Sequence, residues 1–152
     1  MDLFATELGP KFARHLASAG RLVADSPLPK ATQELVKIRA SQLNGCGGCL
    51  DMHTKEAAHA GEDVTRLLLV GAWRETTVFT EAERAALALT EHGTRLADGE
   101  GVPDAVWAEA AAHHDEEQLV ALVALIASIN AFNRLNVLVG QRGGAYVVGQ
   151  FV

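Results

Sequence analysis

A chain of 152 residues and 16.1 kDa is sized for one domain spanning residues 1–152, whose core can bury about two-thirds of the surface that the unfolded chain exposes. Hydrophobic residues make up 49% and charged residues 21%, which excludes a disordered chain, and a formal charge of -6 leaves no basic surplus with which to hold nucleic acid. The longest apolar run, Leu119 to Ile129, falls short of the roughly 20 residues that cross a bilayer, and Met1-Asp2-Leu3 lacks the basic-then-apolar order of a signal peptide, so the expectation is a cytoplasmic protein with no membrane partner.

Ala and Leu dominate, and strand-like alternation is confined to Tyr146-Val147-Val148, so local propensity predicts an all-α bundle of about six helices. The first starts near Gly9-Pro10, where proline suits the opening turn, and runs to Ala19-Gly20. A second runs from Pro29 to the Asn44-Gly45 stop, with Leu35, Ile38 and Leu43 on its buried side. The third opens at the Cys46-Gly47-Gly48-Cys49 turn and stops at Gly61. A short segment, Val64 to Val70, leads into Gly71-Ala72-Trp73-Arg74. Thr80-Glu81-Ala82-Glu83 has the form of a capping box and opens a fourth helix to about Leu96. Pro103 opens a fifth, ending near His113-His114. Asp115 then caps the longest, to about Val139, whose stretch from Leu119 to Phe132 is apolar on nearly every side and is expected at the centre or in a subunit interface.

Two cysteines separated by two residues have the spacing of a redox pair or of half a metal site, not of a secreted disulfide framework. On a helix, Cys46, Cys49 and His53 return to nearly the same face one or two turns apart, so their side chains can meet. At the helix N-terminus, unpaired amides and the positive end of the dipole favour a thiolate. Gly47 and Gly48 let the backbone bend and be approached, and Lys37, Arg39 and Lys55 add positive charge nearby. The acid excess lies elsewhere: residues 75–117 hold two Lys/Arg against eleven Asp/Glu, whereas residues 1–74 hold nine against eight. Zinc is the rival reading, with His53 as a third ligand and only a carboxylate such as Glu34 for the fourth. A thioredoxin-type fold is excluded, because no strand precedes Cys46.

The stretch from Glu34 through Cys46, Cys49 and His53 to Glu56 resembles the signature of the AhpD-like branch of the carboxymuconolactone decarboxylase family: a glutamate, a cysteine twelve residues on, then CxxC and a histidine after three more residues. The resemblance continues through Gly71-Ala72-Trp73-Arg74-Glu75, the segment from Glu83 to Leu89 and the segment from Ile129 to Leu135. It implies an all-helical subunit assembled into trimers or hexamers, without a cofactor or metal. The implied activity is that of a thiol peroxidase which consumes organic hydroperoxides and is recycled by a thiol or dithiol reductant. The resemblance makes Cys49 the peroxidatic cysteine, Cys46 the resolving one, and Glu34 with His53 a proton relay. Some members carry a histidine immediately before the second cysteine, where this chain has Gly48, which implies weaker deprotonation of Cys49 here. Decarboxylation is disfavoured, because the decarboxylase branch of the family lacks the CxxC.

A carboxylate and an imidazole suit that chemistry, since they can move protons near neutral pH while one thiol attacks peroxide and the second captures the sulfenic acid. The alternatives left open are a redox sensor whose disulfide controls assembly, and a metal-binding protein. His15, His59, His92, His113 and His114 have no partner at chemical spacing and read as structural or surface groups; Trp73 and Arg74 read as a pair that stacks or caps a neighbouring helix. Asn130, Asn133 and Arg134 interrupt an apolar helix and read as hydrogen bonds between helices or subunits.

Overall fold

In the computed structural model, which describes residues 2–150, seven α-helices follow one another: α1 (Leu8–Ala24), α2 (Lys30–Leu43), α3 (Gly47–His59), α4 (Val64–Leu69), α5 (Glu81–Thr94), α6 (Asp104–His113) and α7 (Glu116–Val139). Short 3-10 turns occupy Leu3–Ala5 and Val70–Glu75, and among the described residues there is no strand. The all-α expectation holds, and the helix count rises by one because Val64–Leu69 is itself helical. Asp63 caps it by accepting from the amides of Thr65 and Arg66.

Most boundaries follow from local chemistry that the sequence carries. Thr80 and Glu83 form the expected reciprocal capping box, Asp115 forms one with Gln118, and Gly45 ends α2 in the left-handed region at φ 65°. The first helix departs from expectation by running past Gly20 to Ala24. Gly20 lies inside α1 where that helix packs on α7 near Phe132, so it is an interior helix position and does not end the helix. The fourth predicted helix ends at Thr94, two residues early.

α2 is the shared wall of two apolar clusters and packs against α3, α5 and α7. Val36 faces Leu28, Leu89, Leu122, Leu125 and Ile126 on one side, while Leu35 and Ile38 face Leu67, Val70, Trp73, Phe79 and Leu87 on the other. Leu43 is only half-buried. α7 is long and apolar enough to cross a membrane by length and composition, a property the shorter Leu119–Ile129 run did not reveal. Here Leu122, Leu125, Ile126 and Ile129 anchor it in the bundle. It is not covered on all sides in the single chain: Val120, Val123, Val137 and Leu138 stand exposed, with Leu8, Phe12 and Leu22 of α1 exposed as well. Of the apolar C-terminal tail, Phe151 and Val152 lie outside the described residues.

Beyond α7 the chain turns at Gly140, in the left-handed region, and runs back over the start of α3. No strand forms at Tyr146-Val147-Val148. This segment is strapped down by α3 side chains: Asp51 Oδ2 accepts from the amides of Gly144 (2.5 Å) and Tyr146 (2.9 Å), Lys55 Nζ donates to the Tyr146 carbonyl (2.9 Å), and Glu56 accepts from the Gly149 amide (2.8 Å) and the Tyr146 hydroxyl.

Candidate active site

Cys46 is the N-cap of α3. Its extended backbone lets the side chain fold back over the first turn, where the sulfur accepts the Cys49 amide at 3.3 Å and the carbonyl accepts the Leu50 amide at 3.0 Å. Its own amide donates to the Ser41 carbonyl at 3.0 Å, tying the turn to the end of α2. Cys46 and Cys49 are joined as a disulfide across a Cα–Cα distance of 5.4 Å, and both are almost sealed from solvent, at 1% and 2% exposure.

Glu34 and His53 meet across the α2–α3 interface, with Oε2 and Nδ1 3.1 Å apart. Glu34 also takes the Lys37 ammonium at 2.5 Å. Burial pushes the Glu34 carboxyl up, but the His53 hydrogen bond and the Lys37 charge outweigh it and hold the group below its usual range. For His53 burial is the dominant effect and lowers the imidazole below its ordinary value, against the opposing pull of Glu34. At neutral pH the pair is therefore a carboxylate and a neutral imidazole. An ionised carboxylate only accepts, so the proton sits on Nδ1 and Nε2 keeps its lone pair. His53 is one turn beyond Cys49 on the same helix and 8% exposed.

The third contact was not foreseen. Asn136, near the end of α7, donates from Nδ2 to Cys49 Sγ at 3.3 Å. The two residues are 87 positions apart, so no local spacing links them; the available signal was the recurrence of asparagine at 130, 133 and 136 along one helix face. The expected interhelical role of the first two is observed, and Arg134 donates back to Asn130 within α7.

Gly48 lies against the returning tail. A Cβ there would come within 3.3 Å of Gln141 Cγ, so the Gln141 side chain would have to shift to admit a larger residue before Cys49. Arg39, by contrast, is drawn away from the dithiol: with Trp73 Nε1 and Arg74 it converges on the buried Glu91 carboxylate. Arg74 also stacks on the Trp73 ring at 4.2 Å, as expected. Lys55 pairs with Asp51 at 2.6 Å. His114 is buried and bonded to the Ala110 carbonyl, and His113 pairs with Glu109, both structural arrangements. Among the described residues no group of three His, Cys, Asp or Glu is disposed to hold a metal ion.

Residues 10–92 match the carboxymuconolactone decarboxylase family. The chain is 38% identical over 139 residues to the uncharacterised protein YdfG of Bacillus subtilis (strain 168), covering 91% of this chain and 94% of that protein. Among solved structures it is similar to an Agrobacterium tumefaciens protein of unknown function, a proposed antioxidant defence protein AhpD, with a TM-score of 0.85, 34% identity and coverage of 90% and 93% of the two chains. The debrominase Bmp8 has the same fold, with a TM-score of 0.80 over 90% of this chain and 73% of its own, but at 20% identity the likeness is one of fold alone.

Proposed function

We propose that this chain, which belongs to the carboxymuconolactone decarboxylase family, is a thiol-dependent peroxidase that reduces organic hydroperoxides through a Cys46–Cys49 dithiol/disulfide cycle. The observation that carries this reading is a CxxC disulfide at the N-terminus of α3, with a buried imidazole one turn on that is paired to a half-buried carboxylate of α2. A structural disulfide has no use for that pair, whereas a thiol that attacks peroxide does.

In the reduced protein, the Cys49 proton passes to His53 Nε2, and the thiolate attacks the O–O bond of ROOH. A sulfur–oxygen bond forms, the O–O bond breaks, and the departing alkoxide takes the proton back from His53 and leaves as ROH. The Cys46 thiol then displaces water from the Cys49 sulfenic acid, closing the disulfide. Glu34 keeps the Nδ1–H tautomer in place throughout and stabilises the transient imidazolium. A dithiol reductant reopens the disulfide by exchange, giving up two electrons and two protons and closing its own disulfide. The sum is ROOH and two reductant thiols converted to ROH, water and a reductant disulfide.

A thiol cycle of this kind belongs in the cytoplasm, where the pair is kept reduced between turnovers. The exposed apolar side chains of α1 and α7 support assembly into a homo-oligomer, a trimer or hexamer, in which copies of the same surface cover one another. The near-complete burial of both sulfurs favours a second reading, a redox sensor in which oxidation alters the strapped tail without rapid turnover. Multiple-turnover consumption of cumene hydroperoxide with dithiothreitol separates the two: sustained loss of peroxide supports the peroxidase, and a single stoichiometric oxidation supports the sensor.

A further inference from the structure

α7 carries Asn130, Asn133 and Asn136 at intervals of three residues. The first two use their amides to pack helices: Asn130 Nδ2 donates to Thr94 Oγ1 at 3.0 Å, Asn133 Nδ2 donates to Ser41 Oγ at 3.0 Å, and both carbonyls accept from Asn44 Nδ2 at 2.9 Å. The third breaks the pattern by aiming its amide at Cys49 Sγ, 3.3 Å away. Its position is fixed from both sides. Asn133, one turn earlier, is fully buried, and the backbone carbonyl of Asn136 accepts the Gln141 backbone amide at 2.9 Å where the helix is capped.

We propose that Asn136 is a further catalytic residue, which holds Cys49 as the thiolate in the reduced protein. This rests on Cys49 being the sulfur that attacks peroxide. A sulfur in a disulfide is a weak acceptor, and a thiol scarcely better, whereas an amide N–H donated to a thiolate is a charge-assisted bond about twice as strong as a neutral one. The same contact is therefore worth more after reduction and ionisation than before. It favours the ionised thiol over the protonated one, and the dithiol over the disulfide. The N-terminus of α3 does not supply this at Cys49: the amide it offers, that of Cys49 itself, goes to Cys46 Sγ. The ionisable groups on the elements packed around Cys49 include Glu34, Lys37 and Arg39 of α2, Asp51, His53, Lys55 and Glu56 of α3, Arg134 of α7 and Arg142 of the tail, and substitutions at residue 136 leave all of them in place.

The test is thiol titration by alkylation. In a Cys46→Ser background, the rate of Cys49 alkylation by iodoacetamide is followed against pH for Asn136, Asn136→Ala and Asn136→Asp. Loss of a hydrogen bond to a charged group should lower the Cys49 thiolate fraction about tenfold at neutral pH in the alanine variant. The aspartate variant, which puts a like charge beside the sulfur, should lower it further. In the intact two-cysteine protein, equilibrium with dithiothreitol should move toward the disulfide in Asn136→Ala by the same factor, a readout that does not depend on the Cys46→Ser chain folding. Coincident alkylation profiles for all three residues, or an unmoved dithiothreitol equilibrium in a folded Asn136→Ala protein, would overturn the proposal. No peroxide enters these measurements, so shifted profiles in a protein that peroxide leaves reduced would sustain Asn136 as the thiolate's partner while removing the peroxidase reading.

Discussion

Glu34 Oε2 and His53 Nδ1 lie 3.1 Å apart, and the contact helps keep the carboxyl ionised while it fixes the imidazole proton on Nδ1. The carboxylate is kept ionised by His53 and Lys37 against the effect of burial, and the imidazole is kept neutral by burial against the effect of the carboxylate. A base near a thiol is useful only while it is unprotonated. Burying His53 secures that at neutral pH, and Glu34 aims the lone pair by fixing the proton on the other nitrogen.

Replacing Glu34 by Gln keeps shape and hydrogen-bonding capacity while removing the charge that stabilises an imidazolium. Oxidation of the reduced dithiol by an alkyl hydroperoxide should slow about tenfold or more, with the helical circular dichroism unchanged. An unchanged rate across neutral pH would make Glu34 a structural carboxylate only.

The same pair ties folding stability to pH. His53 is depressed below 6.5 in the folded protein, so between its folded and unfolded values the unfolded chain binds more protons and stability rises with pH. Its contribution is complete above about 6.5 and is lost as pH falls through the folded value. Glu34, depressed below 4.5, adds a loss of the same sign at more acid pH. Urea midpoints should therefore fall as pH drops below 6.5, and His53→Gln should flatten the upper part of that fall. Parallel curves for the two proteins would contradict the assignment.

The tail over the dithiol depends on Gly143. A Cβ at this position would stand 2.3 Å from the Gly47 carbonyl oxygen and 2.8 Å from its carbon, backbone atoms with no rotamer to yield. Gly143→Ala should lift the strap. Hydrogen exchange would then lose protection at the Gly144 and Tyr146 amides, which Asp51 accepts, while the core amides of α2 keep theirs. Full protection at Gly144 and Tyr146 in the variant would mean that the tail does not rest on Gly47.

The helices were legible where their ends are written locally: Thr80 with Glu83, Asp115 with Gln118, Asn44 with Gly45. The end of α1 was not, because Gly20 reads as a stop in the sequence, whereas packing of α1 on α7 carries the helix through it to Ala24. Within the site, Cys46, Cys49 and His53 were legible from helical spacing, since one helix carries all three. Glu34 was named as a possible zinc ligand and, through the family resemblance, as half of a proton relay, but its bond to His53 depends on how α2 lies on α3. Asn136 and the strapped tail were invisible for a similar reason. Their contacts to Cys49, Asp51, Lys55 and Glu56 join segments about ninety residues apart, and no periodicity spans that distance.

Intact-mass measurement of the reduced protein after one equivalent of an alkyl hydroperoxide tests the dithiol cycle most directly. The wild-type chain should become lighter by two hydrogen atoms as Cys46 captures the Cys49 sulfenic acid, and Cys46→Ser should instead gain one or two oxygens and stop there. A wild-type protein that remains folded and fully reduced after that treatment would contradict the peroxidase account.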